Sequence, residues 1–473
     1  MNSEIQDQIR KFLDFEKSLE IENLVQKNLS IWHILRTAVF EEIFREKNLS
    51  LGSQKNNDLR KFSLNLQYLY LLFREILSFS NIFNKADVLL INNDPKTKII
   101  DGSFTTKLVW GFTKALESDF TISILNTQSV HLNPDLNSIN VSRILSLFSR
   151  MIAIFKGLTG WKISANYLDK SINKYFGIRL DWKRIYRDNF IRQVFLGYIL
   201  RLIIKIKSPK IIIFSDNGSM SLVNKIANDR NIPTVDYQHA VLSDYYIIYN
   251  HNEGSSSLYK EHLSDYFFSW GEYRLERYKD NYKCRVVGNA FFEESRKEFI
   301  QVKKNQKSLL LVSDGKYTRD ELVDLAIQLS KKFKDFIIYY KLRPEEYENW
   351  LLNYPKEFSE ISNINVIDND DTNLYYYLTL CSYVIGTNST VLLEALPISQ
   401  IIIYKIGWFF EMNDYIDDGL FLSADSCSEV MDLISSKKNA NGKISSDSIF
   451  KEESQYLTYQ NVKEILDKKS FND

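Results

Sequence analysis

The stretch Tyr383-Val384-Ile385-Gly386-Thr387-Asn388-Ser389-Thr390-Val391-Leu392-Leu393-Glu394-Ala395-Leu396 sets the fold. Tyr383–Ile385 is a β-rich apolar run with no polar alternation, the pattern of a strand buried on both faces. Gly386 permits a tight turn. Asn388 or Ser389 is a natural N-cap, and the residues after Thr390 read as a helix. That helix has no acidic residue in its first turn. Its N–H groups and positive dipole end suit an external anion, unless the segment is only a capped helix. Glu394 stands one turn beyond Thr390 on the same face, where a carboxylate would accept hydrogen bonds from ribose hydroxyls.

The same alternation recurs on either side. Val88–Ile91, Phe120–Leu125, Ile211–Phe214, Thr234–Tyr237, Tyr266–Ser269 and Arg285–Val287 form a first series of apolar runs. Leu309–Val312, Phe336–Tyr340, Val366–Ile367, Tyr383–Ile385 and Ile401–Tyr404 form a second, with helix candidates at Arg319–Phe333 and Leu374–Cys381. Alternating strand and helix signals predict an α/β chain with parallel sheets covered on both faces. Two series predict two doubly wound, Rossmann-like domains. The charged stretch Glu293–Lys307 marks the join. The expected divisions are a helical N-terminal segment over residues 1–85, which belongs to the N-terminal domain, a Rossmann-like domain over 86–292, a second over 293–448, and a helix over 449–473.

Composition narrows the function. The 473 residues carry 60 Lys+Arg and 60 Asp+Glu, so no basic excess points to nucleic acid. Hydrophobic residues at 44 % and charged residues at 25 % are globular values. Cys284, Cys381 and Cys427 lie far apart and offer no disulfide framework or paired zinc ligands, which favours a reducing, cytoplasmic setting. The polar N-terminus lacks the apolar core of a secretory leader. The uncharged run Thr372–Leu393 is interrupted by Asn373, Ser382, Gly386, Thr387 and Asn388, so it reads as helix, strand and turn rather than a membrane span.

Ligands of open parallel sheets sit at the C-terminal ends of the strands. After Phe336–Tyr340 come Lys341-Leu342-Arg343-Pro344-Glu345-Glu346. Lys341 and Arg343 share one face, and Pro344 ends the strand. The pair is either a clamp on a donor phosphate or a surface ion pair with Glu345 or Glu346. After Leu309–Val312 comes Ser313-Asp314-Gly315-Lys316, a loop near the ligand; Thr318 and Glu321 are spaced as a capping box for the next helix. In the first series, Ile211–Phe214 leads to Asp216, and Thr234 leads to Tyr237-Gln238-His239-Ala240. His239 is either an acid/base or ligand-contacting histidine or a satisfied core histidine. Asp101, before Gly102, is either a general base or a turn aspartate. No phosphate-binding GxxxxGK[ST] loop, HExxH pair, GxSxG elbow or GxGxxG turn is present. His33, His131, His239, His251 and His262 show no metal-ligand spacing.

Three of these segments carry a resemblance. Tyr237-Gln238-His239-Ala240 resembles the QHG turn of bacterial surface-polysaccharide glycosyltransferases. Lys341-Leu342-Arg343-Pro344-Glu345-Glu346-Tyr347 resembles their KxHP-type motif. Asn388-Ser389-Thr390 with Glu394-Ala395-Leu396 resembles their serine/threonine motif followed by EAL. The order and spacing are similar to GT-B enzymes of capsule and lipopolysaccharide synthesis, including Kdo, sialic-acid and other nonulosonic-acid transferases. The resemblance spans roughly residues 86–430 and implies two Rossmann-like domains facing across a cleft, the nucleotide on the C-terminal one and the acceptor on the N-terminal one, with no obligatory metal and no cofactor. It implies donor-phosphate contacts by Arg343, Ser389 and Thr390. Lys341, Pro344, Ser313, Asp314, Asn388 and Glu394 complete the expected donor side; His239 and Asp101 are the catalytic candidates, and Asp216 and Gln238 the other cleft residues. Arg343 replaces the motif's His and still binds phosphate bidentately, though it does not donate a proton at neutral pH. Ala240 replaces the motif's Gly.

The expected activity is transfer of a sugar from a nucleotide sugar, with a CMP-activated acidic sugar as the expected donor, to a growing surface polysaccharide or lipid-linked acceptor. A teichoic-acid-type polyol-phosphate transferase and a non-catalytic scaffold of the same fold are the alternatives. A lipid-linked acceptor would bring the protein to the cytoplasmic face of the inner membrane. Residues 141–163 offer either an interfacial helix, with Arg143, Arg150, Lys156 and Lys162 among apolar residues, or a packed helix of the domain.

Overall fold

A computed structural model describes residues 2–20, 24–26, 29–47, 66–93, 97–98, 104–127, 138–155, 161–251, 260–315, 318–369, 373–406, 409–440 and 446–470. The chain forms two compact units. One gathers Ser3–His239, Ile247–Gly288 and Glu453–Asp473; the other gathers Ala240–Tyr246 and Asn289–Glu452, with Met1–Asn2.

The N-terminal unit is built on a parallel sheet of seven strands: β1 (Val88–Asn92), β2 (Ile122–Asn126), β3 (Ile139–Asn140), β4 (Ile211–Phe214), β5 (Thr234–Tyr237), β6 (Tyr266–Ser269) and β7 (Lys283–Val286). Their order is β7-β6-β5-β4-β1-β2-β3. Every residue of β1 and β4 is buried, as central parallel strands require. Val88 aligns with Ile211 on one side and Ile122 on the other. The chain starts in the middle, runs outward to β3, and returns to β4. β3 is two residues long, too short to leave a sequence pattern; its ladder pairs Leu125 with Ile139. Asn126 anchors this edge, its Nδ2 donating to Asn140 Oδ1 at 3.0 Å and Ser138 Oγ at 2.7 Å.

The helix Ser454–Ser470 is the last element of the chain, yet it belongs to this unit. Val462, Ile465 and Leu466 join Leu108, Phe112 and Ala115 of the helix Lys107–Leu116 in one core. The N-terminal helices Asn2–Ser18 and Ile31–Glu46 are tied by a buried ion pair. Arg36 Nε meets Glu16 Oε1 at 2.6 Å, and its Nη2 meets Oε2 at 2.8 Å. Trp32 Nε1 donates to the same carboxylate at 2.9 Å. His33 stacks on His262 with ring centroids 5.2 Å apart. Burial lowers both imidazoles' pKa, that of His262 to about 4. Among the described residues no group of three or more His, Cys, Asp or Glu has metal-binding geometry.

The C-terminal unit is built on β8 (Asn305–Val312), β9 (Ile337–Lys341), β10 (Ile364–Ile367), β11 (Cys381–Gly386), β12 (Gln400–Tyr404) and β13 (Leu422–Ala424). All pairs are parallel, in the order β10-β9-β8-β11-β12-β13. Chain order 3-2-1-4-5-6 is the doubly wound Rossmann arrangement, and the N-terminal sheet has the same order with one more strand. Two such units are the architecture of the GT-B fold. Leu309, Leu311, Ile385 and Ile402 form the core beneath the helix Arg319–Lys332. No helix among the described residues is long and apolar enough to cross a membrane. Thr372–Leu393 divides into the helix Leu374–Leu380, strand β11 and the start of the helix Thr390–Ala395, with Thr372 outside the described residues.

Candidate functional site

In an open doubly wound sheet the crevice lies where neighbouring strands lead the chain in opposite directions. In the C-terminal unit that point is between β8 and β11. β8 ends in Ser313-Asp314-Gly315 and β11 in Thr387-Asn388-Ser389.

The two turns are fastened together. Asp314 is buried, and its carboxylate accepts from Thr318 Oγ1 at 2.6 Å and from Thr387 Oγ1. Thr318 caps its helix by position only, with no side-chain bond to the helix. The capping box expected from Thr318 and Glu321 does not form; the Thr318 hydroxyl is oriented toward Asp314 and away from the helix N–H groups. Ser313 is also buried. Its Oγ accepts from Gly315 N–H at 3.0 Å, and its own N–H donates to the Lys341 carbonyl at 3.0 Å. Gly315 has φ +81°, which an L side chain would strain.

Arg343 enters from the loop after β9. Its Cδ lies 3.6 Å from where a Cβ on Gly315 would stand, so its stem crosses the turn after β8. Its backbone N–H donates to Glu346 Oε2 at 2.8 Å, which holds the bend at Pro344. Glu346 also accepts from Tyr354 OH at 2.7 Å. Pro344 is exposed and opens the 3₁₀ turn Pro344–Glu346. Lys341 takes a different course. It is buried, its ammonium lies 4.5 Å from the Tyr347 ring centroid and donates to the Tyr347 hydroxyl, and it reaches the Asn369 carbonyl at 3.4 Å. The two cations of the expected clamp thus differ in surroundings: Arg343 lies at the turn, Lys341 on an aromatic ring and a carbonyl.

Ser389 is the N-cap of the helix Thr390–Ala395, its Oγ accepting from Val391 N–H at 3.3 Å. The helix is six residues long, so its dipole is short. Thr390 is half-buried in its first turn. Glu394 is almost fully buried and accepts from Tyr375 OH. Asn388 donates from Nδ2 to Glu411 Oε2 at 3.1 Å.

Glu411 has no counterpart among the sequence motifs. It sits in the 3₁₀ turn Phe409–Met412, after β12, and is half-buried. Loss of water around its carboxyl pushes its pKa up to about 7, against the pull of the Asn388 amide. The folded state therefore holds a proton there that the unfolded chain releases near 4.5, and this contribution to stability falls as pH rises from about 4.5 to about 7. Glu411→Gln keeps an acceptor for Asn388 and cannot ionise. Its melting temperature relative to wild type is expected to rise across that window and level off above it. Parallel pH profiles for the two proteins would show that Glu411 titrates as an ordinary carboxylate.

The segment Ala240–Tyr246, which directly follows His239, belongs to this same unit. Leu242 N–H donates to Tyr415 OH at 3.2 Å, and Asp244 N–H to the buried Asp414 Oδ2 at 2.9 Å. These anchors lie in Asn413–Asp417, next to the Glu411 turn.

In the N-terminal unit, His239 is half-buried at the end of β5. Tyr249 OH lies 2.9 Å from its Nδ1 and accepts from its backbone N–H at 3.1 Å, so one residue holds both the ring and the backbone of His239. Gln238 is buried, its Oε1 accepting from Trp270 N–H at 2.9 Å. Asp216 has φ +70° and caps the helix Asn217–Asn228 through Ser219 N–H. It lies at the strand switch between β1 and β4, where Ser215 Oγ donates to Asn93 Oδ1 at 3.2 Å. Asp101 lies outside the described residues.

A cavity of about 490 Å³, lined by Lys304, Gln306, Ser382, Tyr383 and Gln400, opens at the opposite edge of the C-terminal sheet. Those residues precede or begin their strands, the end where parallel sheets do not gather ligands.

No known protein family and no curated protein matches the chain. Among solved structures, the UDP-GlcNAc 2-epimerase of Methanocaldococcus jannaschii in complex with UDP-GlcNAc and UDP is similar at 13% identity and TM-score 0.49, covering 80% of this chain and 98% of its own. The enzyme of the same name from Neisseria meningitidis, bound to UDP-GlcNAc, is similar at 14% identity and TM-score 0.47, over 80% of this chain and 99% of its own. HepE of Anabaena in complex with UDP is similar at 9% identity and TM-score 0.40, over 81% and 100%.

Proposed function

We propose that the chain is a metal-independent glycosyltransferase that takes a sugar from a nucleotide sugar, with the donor phosphate at the switch point of the C-terminal unit. The observation that carries this reading is the course of Arg343 across Gly315, beside the turns that Asp314 ties together. A guanidinium there neutralises the phosphate that departs as the glycosidic bond breaks, which is leaving-group stabilisation by a preorganised charge. Ser389 and Thr390 add hydroxyl contacts. His239 exchanges a proton at Nε2 with the acceptor hydroxyl, and the Tyr249 hydroxyl orients the ring. The acceptor is a surface polysaccharide or its lipid-linked precursor, and the expected donor is a CMP-activated acidic sugar.

A thermal-shift panel of CMP, UDP and GDP tests the donor side. Stabilisation by one nucleotide, lost in Arg343→Ala, supports the reading. No shift with any of the three favours a scaffold without catalysis. His239→Asn tests the other half: turnover is expected to fall on the order of a hundredfold or more, while calorimetric affinity for the free nucleotide stays near wild type. Loss of nucleotide binding in His239→Asn would move His239 from proton transfer to the donor site.

A further inference from the structure

The helix Leu66–Ser78 of the N-terminal unit half-buries Leu71 and Leu72 and leaves a second apolar stripe exposed. Its inward side also carries charge. Glu75 is buried, accepts from Arg143 and Ile144 N–H at 2.9 and 3.2 Å, and pairs with the Arg143 guanidinium at 2.9 Å. Ser78 is buried beside it. Its outward side carries Leu69, Phe73, Ile76 and Leu77, with Phe73 56% and Ile76 54% exposed. Spacings of four, three and one place these residues on one stripe. Phe83, in the turn that follows, is 74% exposed. In water the opposite arrangement is favoured, with the ion pair out and the apolar stripe in.

The stripe has neighbours of the same kind. The Glu75–Arg143 pair joins this helix to Ser142–Phe155, whose Phe148 stacks on Phe195 of the helix Arg192–Lys207 at 5.0 Å. Tyr198 and Leu202, one and two turns beyond Phe195, are exposed. Cations border the apolar groups. Arg74 lies over the Tyr70 ring at 6.0 Å and Arg201 over Tyr198 at 5.9 Å. Across the three helices Glu75 is the one acidic residue, and it is buried in its ion pair.

We propose that this face, centred on Leu69, Phe73, Ile76 and Leu77, docks on an anionic lipid bilayer. An apolar stripe bordered by tyrosines and arginines, with no exposed carboxylate, matches the interfacial zone of a membrane: side chains reach the acyl boundary, rings stand at the headgroups, and cations meet lipid phosphate. Apolar exposure of this extent on one face marks an interaction surface. Of the two readings of residues 141–163, an interfacial helix or a packed helix of the domain, Arg143 follows the second. Arg143 points inward to Glu75, while the side chains of Arg150 and Lys162 and all of Lys156 lie outside the described residues. The proposal does not depend on the transferase reading, because vesicle binding needs no donor.

Flotation with vesicles of phosphatidylglycerol and phosphatidylcholine tests it, using the full chain. Wild type is expected to float with the mixed vesicles, less with phosphatidylcholine alone, and less at high salt. The Phe73→Ser, Ile76→Ser double variant should lose roughly tenfold or more in partitioning, since both side chains leave water in the bound state. Arg74→Glu should weaken binding to the mixed vesicles only. Unchanged melting temperatures and nucleotide shifts in these variants show that the fold stands. Wild type that stays unbound overturns the proposal, as does equal flotation of the double variant. A wild-type dimer that the double variant abolishes, without vesicle binding, would assign the face to a second copy of the chain and equally overturn it.

Discussion

Arg343→Ala is expected to abolish measurable transfer while leaving the free protein's melting temperature near wild type. The side chain lies against the Gly315 turn, and the bond from its backbone N–H to Glu346 survives the change. What is lost is a charge-assisted contact to phosphate, about 1.5–3 kcal/mol in donor affinity, or roughly ten- to a hundredfold. The loss in turnover is larger, because charge on the leaving phosphate grows in the transition state. Arg343→Lys should restore only part of it, since an ammonium is a point charge without the planar fork. Calorimetry with the nucleotide that stabilises wild type, together with steady-state rates, separates the two effects. Wild-type activity in Arg343→Ala would remove the phosphate from this turn.

Arg36→Met is expected to be the most destabilising of the substitutions considered. It strips Glu16 of its buried partner, which costs about 3–5 kcal/mol for a pair broken on one side. For a unit of this size the melting temperature should fall on the order of 10 °C. The guanidinium also donates to the Ile247 and Asn250 carbonyls at 2.5 and 2.7 Å. Those residues bracket Tyr249, whose hydroxyl holds His239. Turnover should therefore fall more than the unfolded fraction at the assay temperature explains. Replacing both partners by apolar residues should recover stability without recovering the orientation of Tyr249. A single variant as stable as wild type would show that Glu16 finds other donors.

The strands were legible because central parallel strands are apolar on both faces. Runs such as Val88–Ile91 and Ile211–Phe214 announce themselves within a few residues. Caps were partly legible for the same reason: Ser389 reaches Val391, two residues away. Thr318 shows the limit. Its pattern with Glu321 is that of a capping box, but the hydroxyl is aimed at Asp314, a residue outside the helix, and no helix N–H reaches it. β3 and β13 carry too few residues for a period and exist because a neighbouring ladder pairs them.

The sequence by itself determined that two series of strands and helices follow one another, and where their polar turns fall, since period, glycine turns and proline stops act over a few residues. Tertiary structure alone decided which turns meet. Thr387 reaches Asp314 across 73 positions, and Glu411 reaches Asn388 across 23, because strand order brings separate chain segments to one sheet edge. It also decided that Lys341 turns onto Tyr347 while Arg343 crosses Gly315, although strand alternation puts both on one face. The same holds for the helix Leu66–Ser78. Its spacing marks it as amphipathic, but which side faces inward was settled by Arg143, 68 positions beyond Glu75. An ion pair formed over that distance has no local signature, because its energy depends on a burial that exists only once the N-terminal unit has folded around it.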